Sequence, residues 1–240
     1  MSILVVSGTD TGVGKTVVSA AVAALALRRE VPVAVVKPAQ TGVGPMEPGD
    51  LDEVVRLSGA TTTFELARYP DPLSPAAAAR HSGLPPVSLR QAADRIRDLA
   101  GTHRLVIVEG AGGLLVRFDE DGATIADLAR MLDAPVLVVT RAGLGTLNHT
   151  ALTLEVMAGR GVELAGIVIG AWPSRPGLAE RSNVLDLEML AARPLAGVLP
   201  EGASALDRDA FARVSDAGLG HHLGGCFDPA AFRTSFRLPI

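Results

Sequence analysis

Several things are scarce in this 240-residue sequence, and each scarcity excludes something. There is one cysteine, Cys226, so no disulfide can close within the chain, and the composition fits a reducing, cytoplasmic setting. Aromatics are limited to six Phe, one Tyr and one Trp, so the core must be built from Val, Leu, Ile and Ala. No charge sign dominates: 22 basic and 26 acidic side chains give −4, which leaves no general basic field for nucleic acid or anionic lipid. Any anion site must be local. Long apolar runs are missing too. The longest, residues 17–27, contains Ser19 and is followed by Arg28 and Arg29, whereas a membrane-spanning helix needs about 20 apolar residues. The opening Met1-Ser2-Ile3-Leu4 lacks the basic region of a signal peptide. His81, His103, His149, His221 and His222 show no metal-ligand spacing. Neither a Gly-x-Ser-x-Gly elbow nor a Cys/His nucleophile pair occurs.

What is present is apolar and ordered. Apolar residues make up 48% and charged residues 20%, the balance of a folded chain. Six short β-branched runs stand out, at residues 3–6, 33–36, 105–108, 136–139, 166–169 and 195–199. They are continuous rather than alternating, as expected of strands buried on both faces of a parallel sheet. Helical stretches lie between them: 16–29, 88–99 with a stripe of Leu89, Ala92, Ala93, Ile96 and Leu99, 124–132 opening on a capping-box signal, and 146–158. The alternation predicts an α/β fold: a single doubly wound domain over residues 1–240, with a mainly parallel sheet flanked by helices. Residues 45–48 read as an exposed loop and Asp119-Glu120-Asp121-Gly122 as a solvated turn. Beyond residue 202 the pattern weakens, and the tail from about 220 to 240 is unplaced.

Polar residues gather after the runs. Run one leads to Ser7-Gly8-Thr9-Asp10-Thr11-Gly12-Val13-Gly14-Lys15-Thr16, run two to Lys37-Pro38-Ala39-Gln40-Thr41-Gly42, run three to Glu109-Gly110-Ala111-Gly112-Gly113, and run four to Thr140-Arg141-Ala142-Gly143-Leu144-Gly145-Thr146. Open parallel sheets bind ligands outside the carboxyl ends of their strands. The first of these segments is a phosphate cradle: its glycines let backbone N–H groups turn inward, Lys15 reaches the β- and γ-phosphates, and the Thr16 hydroxyl is placed for Mg²⁺. It departs from the strict pattern by one residue, since Thr9 stands where the first glycine belongs and Gly8 comes one place early. Glu109 is the best candidate for a hard metal ligand, with Asp50 and Asp52 behind it. Lys37 reads either as a solvated strand-end charge or as a second ammonium that neutralises a transferring phosphoryl group.

In order and spacing, Gly8–Thr16, Lys37–Gly42 and Val108-Glu109-Gly110-Ala111-Gly112-Gly113 resemble the motifs of the dethiobiotin synthetases, which are P-loop NTPase-like. Pro72-Leu73-Ser74-Pro75, Leu144-Gly145-Thr146-Leu147-Asn148-His149 and Leu199-Pro200-Glu201-Gly202 are softer matches, and the resemblance covers about 2–215. It implies an ATP-dependent ligase of biotin synthesis, cytoplasmic and homodimeric. One amine of 7,8-diaminopelargonic acid (7,8-diaminononanoate) takes up CO₂ as a carbamate. ATP converts this to a carbamic-phosphoric mixed anhydride, and the second amine closes the cyclic urea, releasing ADP and phosphate. By the same resemblance, Gly12, Val13, Gly14, Lys15, Thr16 and Val17 would hold the nucleotide phosphates, with Gly110, Ala111 and Gly112 nearby. Thr16, Asp50 and Glu109 would bind Mg²⁺, Asp50 fitting the family's spacing better than Asp52. Lys37 would be the catalytic lysine, with Lys15, Thr11 and the substrate-binding Thr41 at the reacting centre. Gly145, Thr146, Leu147 and Asn148, at a helix start in the partner subunit, would bind the substrate's distant carboxylate. Many family members read adenine with an Asn after the fifth strand, but here Val168-Ile169-Gly170-Ala171-Trp172 has none. That leaves the backbone of Gly170, Ala171, Pro200, Glu201 and Gly202 for the base, and Trp172 either as a stacking partner or as a packed loop residue.

Other readings have their own signals. Partition- and septum-positioning ATPases carry a second lysine five places before the loop lysine; here that place holds Asp10. They often end in a basic amphipathic membrane helix, for which Arg233-Thr234-Ser235-Phe236-Arg237 is too short. Cobyrinate-type amidotransferases need a further glutaminase domain with a Cys nucleophile, and Cys226, fourteen residues from the end, leaves no room for one. A nucleotide-binding module without turnover is the third reading.

Overall fold

The computed structural model describes residues 2–236; Met1 and residues 237–240, Arg237 among them, lie outside the described residues. In chain order the elements are β1 (Ser2–Gly8), α1 (Lys15–Leu27), β2 (Val33–Lys37), β3 (Gln40–Thr41), α2 (Asp50–Ser58), β4 (Thr63–Glu65), β5 (Arg68–Tyr69), α3 (Pro75–Ser82), α4 (Leu89–Thr102), β6 (Leu105–Gly113), α5 (Ile125–Leu132), β7 (Val136–Thr140), α6 (Thr146–Gly159), β8 (Leu164–Trp172), α7 (Leu178–Ala191), β9 (Gly197–Pro200), α8 (Arg208–Gly218) and α9 (Pro229–Ser235). Seven strands form one sheet in the order β4-β2-β6-β1-β7-β8-β9, and its paired neighbours are parallel. β3 and β5 make a separate two-stranded ribbon.

The β-branched runs are buried because both faces of the sheet are covered. Side chains alternate across it: Val106 and Val108 of β6 join the layer under α4, α5 and α7, while Ile107 joins the layer under α1, α2 and α8. The chain leaves β1 for β2, returns through β6, and only then crosses β1 to reach β7. That reversal puts a crevice over the carboxyl end of β1, between β6 and β7.

Helix signals held where they were local. Thr124 caps α5, with Asp127 accepting from its backbone N–H at 2.9 Å, and α6 opens on Thr146. The short strands β3, β4 and β5, and the helices α2, α3 and α7, were not visible as runs. Residues 119–122 turn between the bridged Arg117 and Thr124. The tail is where expectation and structure differ most. Beyond residue 202 the chain forms α8, and the tail itself forms α9, capped by Asp228, which accepts from Ala230 and Ala231 N–H. Phe232 and Phe236 each place a ring centroid 5.0 Å from that of Trp172, and Arg233 pairs with the buried Glu188 at 2.5 Å. Trp172 is thus only 8% exposed, a packed residue beneath the tail; the base-stacking alternative is withdrawn.

Candidate active site

Strand register alone brings the first two ions together. Val36 of β2 sits opposite Val108 of β6, so the next residues, Lys37 and Glu109, are neighbours at the two strand ends. The Lys37 ammonium donates to Glu109 Oε1 at 2.8 Å and to the Gly110 carbonyl at 3.3 Å, and it pairs with Asp50 Oδ2 at 2.5 Å. Glu109 Oε1 also accepts from the Thr16 hydroxyl at 2.8 Å. Burial by itself pushes the Lys37 ammonium down, but Glu109 and Asp50 outweigh it and hold the group above its ordinary value. Lys15, donating to the Asp10 carbonyl at 2.9 Å, lacks such close acids. Burial, with repulsion from Lys37, lowers it to about 8. The other oxygen of Glu109, Oε2, is fully buried and has no hydrogen-bond partner among the described residues.

Asp50 is placed by its helix. It is the first residue of α2, and its N–H donates to Gln40 Oε1 at 2.9 Å. Asp52, two residues on, instead accepts from Gly49 N–H at 2.7 Å as part of the cap. The capping role occupies Asp52 and leaves Asp50 facing Lys37. The motif containing Gln40 was visible in the sequence, but its task of orienting α2 was not, because the contact spans a loop.

The phosphate loop is held by close backbone approaches. Gly12 and Gly14 have φ of 70° and 97°, which L side chains rarely adopt. A Cβ on Gly170, two residues before the end of β8, would lie 2.0 Å from the Val13 carbonyl oxygen. Gly170 of β8 is therefore the floor on which the loop rests. Asp10, standing where the septum-type ATPases have lysine, accepts from Thr11 N–H at 2.7 Å and pairs with Arg141 at 3.3 Å.

These groups open into one cavity of about 790 Å³. Its walls include Thr11, Gly12, Gly14, Lys15 and Thr16 from the loop, and Lys37, Thr41 and Asp50 from the β2 side. Glu109, Ala111 and Gly112 come from β6, and Pro72, Leu73, Ser74 and Pro75 close the far side.

Comparison with known proteins now bears on this geometry. Residues 2–206 match the family model described as an AAA domain. The chain is 63% identical over 236 residues to the ATP-dependent dethiobiotin synthetase BioD of Frankia casuarinae, covering 98% of this chain and 99% of that one. It is 55% identical, with the same coverage, to the enzyme of that name from Streptomyces avermitilis. The chain belongs to the dethiobiotin synthetase family.

Solved structures similar in fold include the cell division ATPase MinD of Pyrococcus furiosus, with TM-score 0.54 and 18% identity over 89% of this chain and 96% of that one. A ParA family ATPase from Chlorobium tepidum matches with TM-score 0.53 and 16% identity over 91% and 90%. At such identities the likeness is one of P-loop NTPase fold alone, and the dethiobiotin synthetase relatives outweigh the partition or septum reading. Not every expected residue of a dethiobiotin synthetase site lines the cavity. Val13 is buried, Val17 in the first turn of α1 packs against the core, and Gly110 contributes its carbonyl to Lys37. Ala171, Pro200, Glu201 and Gly202 are exposed at the ends of β8 and β9, where Glu201 N–H donates to the Trp172 carbonyl at 2.8 Å. Gly145, Thr146, Leu147 and Asn148 open α6 beyond β7, outside the cavity walls.

Proposed function

We infer that this chain is a dethiobiotin synthetase that joins CO₂ to the two amines of 7,8-diaminononanoate at the expense of ATP. The observation that carries the reading is Lys37, buried between Glu109 and Asp50 on the floor of the cavity that the phosphate loop enters. A carbamate oxygen attacks the γ-phosphorus and ADP leaves. The second amine then attacks the carbamoyl carbon, loses a proton and expels phosphate. No enzyme nucleophile is needed, because the substrate's own groups attack; the protein positions them and neutralises charge. Lys37 supplies a fixed positive charge beside the carbamate and the moving phosphoryl group. The loop's N–H groups and Lys15 hold the phosphates, and Thr11 and Thr41 flank the reacting centre.

The residues also suit Mg²⁺. Thr16, Asp50 and Glu109 offer only hard oxygens, and the buried, unpartnered Oε2 of Glu109 is a donor atom in want of a cation. When bound there, the ion would neutralise charge on the β- and γ-phosphates.

The reading includes a homodimer. Leu144, 94% exposed, lies just ahead of α6, and Leu152, Leu178, Leu185 and Met189 are exposed along α6 and α7. That apolar face, together with an α6 start outside its own cavity, supports a partner subunit whose diamine carboxylate α6 receives. It also includes one domain, supported by a sheet that takes strands from Ser2 to Pro200 and by a tail packed on Trp172. A cytoplasmic setting is supported by the free Cys226; among the described residues no helix is long and apolar enough to cross a membrane.

Incubation with diaminononanoate, bicarbonate, MgCl₂ and ATP tests this by mass spectrometry. The diamine should gain CO and lose two hydrogens as phosphate appears. ATP hydrolysis without that product would reject the reading.

A further inference from the structure

Thr9 stands in the phosphate loop where the strict pattern has glycine, and the cavity does not use it. Its hydroxyl lies 3.4 Å from that of Thr140, the last residue of β7. Thr140 Oγ1 in turn lies 2.5 Å from Thr146 Oγ1 and 3.0 Å from Thr150 Oγ1, both on α6. Thr140 and Thr150 are 0% exposed and Thr146 4%, so these groups are out of reach of bulk solvent and turn to one another.

Proton counting orders the cluster. A hydroxyl has one proton to give. Thr146 gives its proton to the Arg141 carbonyl at 2.7 Å, so it accepts from Thr140. Thr140 has then spent its own, and both Thr150 and Thr9 donate to it. The result is a directed series, Thr9 to Thr140 to Thr146 to the backbone at 141. At 3.4 Å the Thr9 contact is long for a hydroxyl pair, so the α6 end is tight and the loop end loose. A second tie runs beside it: Arg141 donates to the Thr11 carbonyl at 2.9 Å and pairs with Asp10, whose carbonyl holds Lys15. The phosphate loop and the start of α6 thus share one support, residues 140 and 141.

We propose that Thr140 is a positioning residue that keeps the phosphate loop and the N-terminus of α6 in fixed register, with Thr9 as its docking point in the loop. This rests on the reading in which α6 receives the diamine's carboxylate. Thr140 touches neither substrate. It acts through Thr146, whose inward hydroxyl leaves the N–H groups of Leu147 and Asn148 as the outward donors of the first turn.

Thr140→Val keeps the shape but removes the donor to Thr146 and the acceptor for Thr9 and Thr150; Thr140→Ser keeps the hydroxyl. In steady-state kinetics Thr140→Val should raise KM for the diamine about tenfold while KM for the nucleotide stays within about twofold. Thr140→Ser should restore the parent value, and Thr9→Val should fall between. Amide hydrogen exchange reads the link without turnover. Adding Mg-ADP should slow exchange at Leu147 and Asn148 in the parent and in Thr140→Ser, but not in Thr140→Val. Equal rises in both KM values, unchanged KM values, or α6 exchange in the parent that ignores nucleotide would each overturn the proposal. If the parent forms no cyclic urea, the functional reading falls, and the exchange comparison alone decides whether the link exists.

Discussion

The two flanks of β1 are built from different materials. On the β6 and β2 side the strand ends carry ions: Lys37 and Glu109 are buried, with Asp50 closing the group from α2 and Thr16 donating into it. On the β7, β8 and β9 side the buried strand-end groups are hydroxyls, a bare glycine and an aromatic packing cluster: Thr140 with α6, Gly170 under the loop, Trp172 under α9. The ion pairs on this side, Arg141 with Asp10 and Arg233 with Glu188, stand outside the cavity walls. Burying ions is costly unless each is paired, so a protein concentrates them where charge must be met. The neutral flank holds shape. Chemistry should therefore respond to changes on the ionic flank, and geometry or affinity to changes on the neutral one.

The hardest test of that division is Lys37→Ala. If the ammonium stabilises charge as phosphate transfers, kcat should fall about 10²-fold or more while nucleotide affinity changes only a few-fold. Melting temperature should fall as well, since Asp50 and Glu109 would face each other without a cation, and added Mg²⁺ should recover part of the loss. Turnover near the parent's would remove Lys37 from the chemistry and blur the contrast between the flanks.

Glu109→Gln comes next. It keeps the shape and removes the charge that Thr16 and Lys37 share. The Mg²⁺ concentration for half-maximal activity should rise at least about tenfold. A Mg²⁺ titration that overlays the parent's would show that Glu109 serves only as the counter-ion of Lys37.

How much of this was legible beforehand also divides along β1. On the ionic flank the residue types and their places at strand ends were readable, because Lys and Glu directly after buried β-branched runs are unusual in themselves. What could not be read was adjacency. That Lys37 meets Glu109 depends on β2 lying beside β6, and the choice between Asp50 and Asp52 depended on which one caps α2. On the neutral flank little was legible. Thr140, Thr146 and Thr150 look like ordinary threonines until β7 and α6 are packed. Trp172 is separated from Phe232 by the whole of α7, β9 and α8, so no local periodicity links them. The sheet itself was plain from its runs, whereas β3, β4 and β5 are too short to carry a pattern.

Lys15 sits between the flanks and sharpens the comparison through pH. In the protein without nucleotide, burial and the neighbouring Lys37 lower it from 10.5 to about 8. Between those values the unfolded chain holds a proton that the folded chain has released. Stability contributed by this group therefore rises with pH across that window, and below about 8 the full penalty of the buried charge applies. Phosphates favour the protonated form, so nucleotide affinity should fall above about pH 8, by at most about tenfold per unit. Calorimetric titrations from pH 7 to 9.5, a range set by the value of about 8, would show it. A flat profile would mean that Lys15 keeps its proton throughout.

The smallest effect belongs to the far end of the neutral flank, where the base would lie. Trp172 is packed against Phe232 and Phe236 and cannot stack on a nucleobase without the tail moving away. Gly170 is taken up with the loop, and no Asn follows Ile169. Only the backbone of Ala171, Pro200 and Gly202 and the carbonyl of Glu201, whose N–H is spent on Trp172, are left to read the base edge, all in exposed residues. A site that merely tolerates a group discriminates weakly, whereas one built to hydrogen-bond it rejects analogues strongly. Binding energy should then come mainly from the triphosphate, held by residues 12–16. GTP, CTP and UTP should support ring closure with kcat/KM within about tenfold of ATP, a gap of roughly 1.4 kcal/mol. Measuring kcat/KM for the four nucleotides decides it. A preference for ATP of about a thousandfold, some 4 kcal/mol, would require a desolvated polar reader, and the neutral flank would then hold chemistry of its own.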